Sequence, residues 1–396
     1  VSFGLLAMFF LAISPWHIMM SRWGINENIL PFLFLMAFTA ILASTKHNGW
    51  FLAGSFLLGL CLYAYGASYV AVPIFLLCAI PLLLRYQAVS VRTAVLGVCI
   101  FCFVSIPIVL FLLVNTLRLP PLSIGPLTIP RLPMQPRYEF MGAMFSSASF
   151  AALKENFQTA VRLIMGEPDG LAWNAVPPYQ YFYPGAYILS LLGAVLLLPS
   201  RVGEDGKTKG LMLAWLFAAF CIGLAQPANI NRLHLLFIPL IFCAAIAVYF
   251  CFQYLRPFSY ALIVPFLAGF LLFNGAYHGS EFRLLIGKEF FHGLIPALEF
   301  ARSFDHQPIC VTDTVNQPFV YVLFVEQWNP AAYTAPADTG REKPLLMDRY
   351  AFGPASCPAL PEMIYIVSAD EEFSAPGSYQ EELFDNYIVY YPAEDG

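Results

Sequence analysis

Nine apolar runs crowd the first 277 residues, at about 1–16, 28–44, 50–64, 67–84, 93–115, 184–200, 211–225, 232–252 and 258–277. A hydrocarbon core of roughly 30 Å needs about 20 such residues in a helix, so runs of this length read as membrane spans, the shorter ones borderline. The chain is therefore predicted to be an α-helical polytopic membrane protein with about nine transmembrane helices. Composition agrees, with 59% hydrophobic and 11% charged residues, against about 25% charged in a soluble domain. That balance excludes an ordinary soluble enzyme, a disordered chain, a coiled coil and a nucleic-acid binder with a basic footprint.

Charge divides the chain. Residues 278–396 carry 6 Lys and Arg against 18 Asp and Glu, while residues 1–277 carry 14 against 7. A basic, apolar first part and an acidic second part predict a transmembrane domain over 1–277 followed by a water-exposed domain over 278–396. Val1 begins inside an apolar run with no charged flank, which reads as a chain lacking its natural start.

Orientation follows from Lys and Arg in short loops. Alternate loops hold Lys46, then Arg85 and Arg92, then Arg201, Lys207 and Lys209, then Arg256, and the others only Arg22 and Arg232. The first set is expected to be cytoplasmic. With nine crossings of a cell membrane, the turn at 16–27, the long segment 116–183, the turn at 226–231 and the C-terminal domain then fall on the extracytoplasmic side. The long segment has a Pro-rich entry, a middle stretch near 148–165 with the pattern of an interfacial helix, and an aromatic exit, WNAVPPYQYFYP.

The last domain reads as a small α/β unit. EFFHGLIPALEFARSF has helical spacing, and ICVTDT, PFVYVLFV, MIYIVSA and YIVYYP read as strands. Seven of the nine cysteines lie in expected spans. Cys310 and Cys357 remain, and an extracytoplasmic location permits a disulfide between them, although spacing alone does not decide it.

Polar residues that suggest chemistry gather at the outer ends of the spans. SPWHIMMSRWGINENILPF holds His17, Arg22 and Glu27 between two spans. An arginine and a carboxylate beside a bilayer are costly unless paired, solvated or bound. Two readings are open: an Arg22 to Glu27 ion pair that holds the loop, or a role in binding phosphate or orienting an acceptor. Arg232, in NINRLHLLFIP, sits where a lipid phosphate would meet a planar fork of donors. Snorkelling to the interface is its bland alternative, and the bland role is favoured for His234. Tyr63, Tyr65 and Tyr69 surround the turn at Gly66, mostly as interface anchors. Asp169, in EPDG ahead of Trp173 and Asn174, has the chemistry of an acid or base but more often such an Asp only makes a turn.

No Walker loop, dinucleotide glycine fingerprint, HExxH or paired CxxC occurs. The spans also lack the mid-membrane charges of ion-coupled transporters.

Taken together, SPWHIMMSRWGINENILPF, GLCLYAYGASYVAVP, DGLAWNAVPPYQYFYPGAYILSLLGAVLLL and NINRLHLLFIPLIF, followed by an α/β tail, resemble the multi-spanning C-type (GT-C) glycosyltransferases. The chain is most similar to the group of protein mannosyltransferases and the aminoarabinose transferase of lipid A modification. The resemblance implies transfer of a sugar from a polyprenyl-phosphate-linked lipid donor to a glycan, lipid or protein acceptor on the extracytoplasmic face. It implies a principal catalytic carboxylate in a first outer loop upstream of Val1, with Glu27 as a supporting residue where family members often have Asp. Asp169 is a weaker catalytic candidate. Arg232 would lie near the lipid phosphate, and Arg22, His17, Tyr65 and Asn174 would line the substrate. No soluble cofactor or metal ligand set is expected, a divalent cation at Glu27 being the alternative left open. Such a transfer needs a base for the acceptor hydroxyl and cations for the developing phosphate charge. Rival readings are a lipid-linked glycan ligase or polymerase, a transporter or flippase, and an inactive scaffold.

Overall fold

The computed structural model describes residues 2–393 except 126, 133–148, 180, 184, 199–205, 255–257, 331–348, 359 and 361. It divides into two compact units, Val1–Tyr277 and His278–Gly396. Arg201, Arg256 and, in the Pro-rich stretch of the long segment, residues 126 and 133–136 lie outside the described residues.

In the first unit the apolar runs are helical, as backbone surrounded by apolar side chains must bond within its own segment. They form α1 (Ser2–Ala12), α2 (Pro15–Ser21), α3 (Ile29–Ala43), α4 (Gly49–Ala64), α5 (Ser68–Arg85) and α6 (Val91–Thr116). After a short hairpin of β1 (Leu122–Ile124) and β2 (Leu127–Ile129) come α7 (Ser149–Ile164), α8 (Ala186–Leu197), α9 (Gly206–Ala225), α10 (His234–Tyr254) and α11 (Phe258–Tyr277). Five stretches are long and apolar enough to cross a membrane: Asn26–Ala43, Ser68–Arg85, Val91–Thr116, Gly206–Ala225 and His234–Tyr254. The count rises to seven if two broken helix pairs each make one span, while Gly49–Ala64 and Ala186–Leu197 are apolar but shorter. The fold is thus compatible with a multi-pass membrane protein.

Helix α10 is the hub, packed against α1, α3, α8, α9 and α11. Small residues permit the close approaches, as expected where helices meet without a water-driven force. A Cβ on Gly193 of α8 would overlap the Cys243 carbonyl of α10, so only glycine fits there. Pro239, inside α10, has no N–H, so the Leu235 carbonyl one turn earlier loses its helical donor. The Trp215 indole of α9 supplies one at 3.0 Å, from a ring fully buried against Phe34 and Phe38.

Helix α7 lies where the mixed-polarity stretch predicts a helix. It packs on α9, with the Asn156 amide donating to the Leu224 carbonyl at 3.1 Å, and leaves Phe150, Leu153 and Phe157 exposed along one stripe. The hairpin is pinned to the end of α6 by buried Asn115, which donates to the Pro130 carbonyl (3.1 Å) and accepts from the Leu132 amide (2.7 Å).

The second unit contains α12 (Ser280–Glu289), α13 (Leu294–Arg302), β3 (Ile309–Val311), α14 (Pro318–Val325), β4 (Tyr350–Phe352), β5 (Ile364–Ser368), β6 (Tyr379–Phe384) and β7 (Tyr387–Pro392). The sheet order is β4-β3-β5-β7-β6, with β3 parallel to β4 and β5 and the last two strands antiparallel. One face buries Ile309, Val311, Ile364, Ile366 and Val389 in a core shared with Leu294 and Leu298 of α13 and Val322 and Val325 of α14. The other buries Cys310, Met363, Tyr365 and Val367, and there Cys310 is disulfide-bonded to Cys357. PFVYVLFV, expected as a strand, is instead α14: Pro318 occupies the helix N-terminus, and Val322 and Val325 make its buried face. Glu326, just after α14, lies near Arg302 (3.6 Å) and Arg349 (4.0 Å) and accepts from the Tyr350 hydroxyl at 2.5 Å, tying α14 to β4.

Candidate functional site

The site is built around a break between α1 and α2. Pro15 cannot continue the α1 ladder, and the two helices meet at 62°. The Ile13 carbonyl accepts from the Tyr183 hydroxyl (2.5 Å), and the Trp16 amide donates to the Tyr181 carbonyl (3.1 Å). The Tyr181 hydroxyl in turn donates to the Leu163 carbonyl, with the Glu167 carbonyl 2.8 Å away. The aromatic exit of the long segment is thus fastened to the break at one end and to α7 at the other. Burial raises the pKa of both tyrosines, most for Tyr181, where Asp169 and Glu167 add to it, so they stay protonated donors. The Trp16 indole donates to His234 Nδ1 at 3.0 Å, both rings being buried. His234 therefore keeps its Nδ1 lone pair for a neighbour and serves as a packing residue.

Beyond α2 the chain passes through a 3₁₀ turn, Asn26–Asn28, that sets Glu27 ahead of α3. Asn28 donates to the Met20 and Trp23 carbonyls (2.7 and 2.6 Å), closing the end of α2, and Asn26 reaches the Ala64 carbonyl at the end of α4 (3.5 Å). The next residue, Tyr65, is half-buried and extended before α5. Burial, and after it the Glu27 carboxylate, push the Tyr65 hydroxyl above its usual pKa, while the Arg232 guanidinium pulls it down by charge and hydrogen bonding. Glu27, Tyr65 and Arg232, from three separate turns, therefore share one local field. A carboxylate acceptor, a protonated phenol and a guanidinium together suit a ligand carrying both a hydroxyl and an anion.

Arg232 is presented by a self-closed turn. Its amide donates to Asn229 Oδ1 (2.8 Å) and its Nη1 to the Pro227 carbonyl (2.6 Å), which orients the guanidinium and leaves donors over.

The other candidates lie elsewhere. Arg22 does not pair with Glu27: among the described residues its guanidinium sits 5.1 Å over the Tyr277 ring, a cation–π contact, and no ion pair joins the two. The ion-pair reading of that loop is thus replaced. His17 is half-buried on α2 beside Trp16, and among the described residues no hydrogen bond or ion pair links it to the trio. Asp169 makes a turn, as its EPDG context favours, and does more: Oδ1 accepts from the Leu171 amide (3.1 Å), and Oδ2 from Asn174 Nδ2 (2.7 Å) and the Ile230 amide (3.1 Å). Asn174 is fully buried. Long-range ties from a side chain to a backbone group, such as Tyr183 to Ile13, had no signal in the sequence beyond the density of aromatics at 173–184.

Among the described residues no group of three or more His, Cys, Asp or Glu is placed to hold a metal. No protein-family model, curated protein or solved structure matches the chain.

Proposed function

We propose that the chain is a multi-pass cell-membrane glycosyltransferase of the GT-C kind, moving a sugar from a polyprenyl-phosphate-linked donor to an acceptor on the extracytoplasmic face. The observation that carries this reading is the meeting of Glu27, Tyr65 and Arg232 at turns that cap apolar helices. A lipid donor presents its phosphate at the membrane boundary, where Arg232 would hold it as charge develops on the departing phosphate. Tyr65, protonated, would donate to the same phosphate or to a sugar hydroxyl, and Glu27 would orient the acceptor hydroxyl in support of the principal base.

The side assigned to the site follows from charge. Lys46 lies between α3 and α4, Arg85 and Arg92 flank the turn between α5 and α6, and Lys207 and Lys209 open α9, all at the helix ends opposite the trio's turns. The Cys310–Cys357 bridge supports an oxidising compartment for the C-terminal unit. If the two short apolar helices also cross, nine crossings would leave both on the extracytoplasmic side.

The test is transfer of labelled sugar from polyprenyl phosphate by the full-length protein, with the residues that precede Val1, in liposomes. Loss of a charge-assisted bond costs about 1.5–3 kcal/mol, so Arg232→Ala should weaken use of the donor at least tenfold, with Arg232→Lys recovering part. Wild-type turnover in Arg232→Ala would refute the assignment. Donor movement across the bilayer without transfer would favour a flippase instead.

A further inference from the structure

The long segment and the Arg232 turn meet at one carboxylate. Helix α7 is seated on the end of α9, where Gly223 leaves room for Ala160. Past α7 the chain reverses through Gly166 (φ +98°) and Gly170 (φ +82°), left-handed positions that a side chain would strain. Between them Asp169 takes the Leu171 amide on one oxygen, and the Asn174 amide and the Ile230 N–H on the other. Ile230 is fully buried and lies within the Pro227–Arg232 turn that closes on itself through Asn229 Oδ1 and the Pro227 carbonyl. A turn closed internally has a fixed shape but still needs an external tie to fix its place, and a carboxylate-to-amide bond is a strong one.

We propose that Asp169 is a positioning residue: through the Ile230 N–H it fixes the Arg232 turn on the long segment, and so sets where the guanidinium meets a lipid phosphate. This rests on the reading that Arg232 binds that phosphate. The Asp169 carboxylate already accepts from three donors, which suits a positioning role.

The experiment uses the full chain in detergent, with a sugar-free polyprenyl monophosphate as binding probe and hydrogen exchange at residues 228–233 as a readout independent of activity. Asp169→Ala should speed exchange there at least tenfold and weaken probe binding by about tenfold, since small misplacements of a binding group are costly. In the Arg232→Ala background it should weaken binding no further, the mark of two residues acting as one unit. Asp169→Asn, which keeps one oxygen for Ile230 and Asn174 but sets its amide against the Leu171 N–H, and Asn174→Ala should show smaller effects in the same order. They serve if Asp169→Ala fails to fold. Faster exchange with unchanged binding, or full additivity with Arg232→Ala, overturns the proposal while leaving the phosphate reading standing. A wild-type chain that does not bind the probe overturns both.

Discussion

Removing the Cys310–Cys357 bridge opens a covalent loop whose ends are 47 residues apart in sequence. A cross-link closing a loop of about 50 residues is worth roughly 4 kcal/mol in the chain-entropy treatment. The native state adds to this, because Cys310 is fully buried beside Met363, Tyr365 and Val367, and alanine there loses sulfur contacts for roughly 1 kcal/mol more. For a unit of this size each kcal/mol moves the melting temperature by roughly 4 °C, so C310A/C357A should melt roughly 15–20 °C lower. The double variant is preferred because a single one leaves a thiol free for wrong pairing. Melting can be followed in the full chain by hydrogen exchange at the amides of β5 and β7, and reductant on the wild type should reproduce most of the shift. The reasoning is refuted if both cysteines of the unreduced native protein react with a maleimide, or if the double variant melts at the wild-type temperature.

Two further outcomes follow from the same geometry. Because Arg22 lies on Tyr277, a double-mutant cycle of Glu27→Gln with Arg22→Gln should show coupling below about 0.5 kcal/mol, whereas Glu27→Gln with Arg232→Gln should show about 0.5 kcal/mol or more; strong Arg22 coupling would restore the ion pair. Burial, and next to it Tyr321, push the Tyr387 hydroxyl up to about 12. The folded value exceeds the unfolded one of about 10, so this contribution is complete below pH about 10 and is lost as pH rises toward the folded value, for roughly 2–3 kcal/mol in all. Melting of the C-terminal unit recorded from pH 8 to 12 should therefore fall less steeply in Tyr387→Phe, and an unchanged slope would count against it.

Much of the helical unit was legible because an apolar run has few other folds open to it, and α3 through α6 begin and end within a few residues of the runs. The tail was harder. Eight apolar residues, PFVYVLFV, carry no periodicity that separates a buried strand from a buried helix, and a proline just inside the start tipped α14 to a helix. Strand β6 went unseen because it is a sheet edge: Gln380, Glu381, Glu382 and Leu383 face solvent, and edge strands hide behind charge. In the site, the residue types and the turns that carry them were readable. Which of them meet was not, since Tyr65, before α5, and Arg232, after α9, are brought together by the packing of α5 on α9, where Gly210 lies against Leu82, and Arg22 finds an aromatic ring instead of the carboxylate five residues away.

The bond from Trp215 to the Leu235 carbonyl restricts how this chain can drift in sequence. Phenylalanine would nearly fill the tryptophan's place, yet it would strand a carbonyl in an apolar interior at a cost of several kcal/mol. Were position 239 first to become a residue with an N–H, helix α10 would satisfy that carbonyl itself, and the aromatic at 215 would be released to vary. Proline and tryptophan are thus exchangeable in one order only: the helix must be mended before its crutch is taken away.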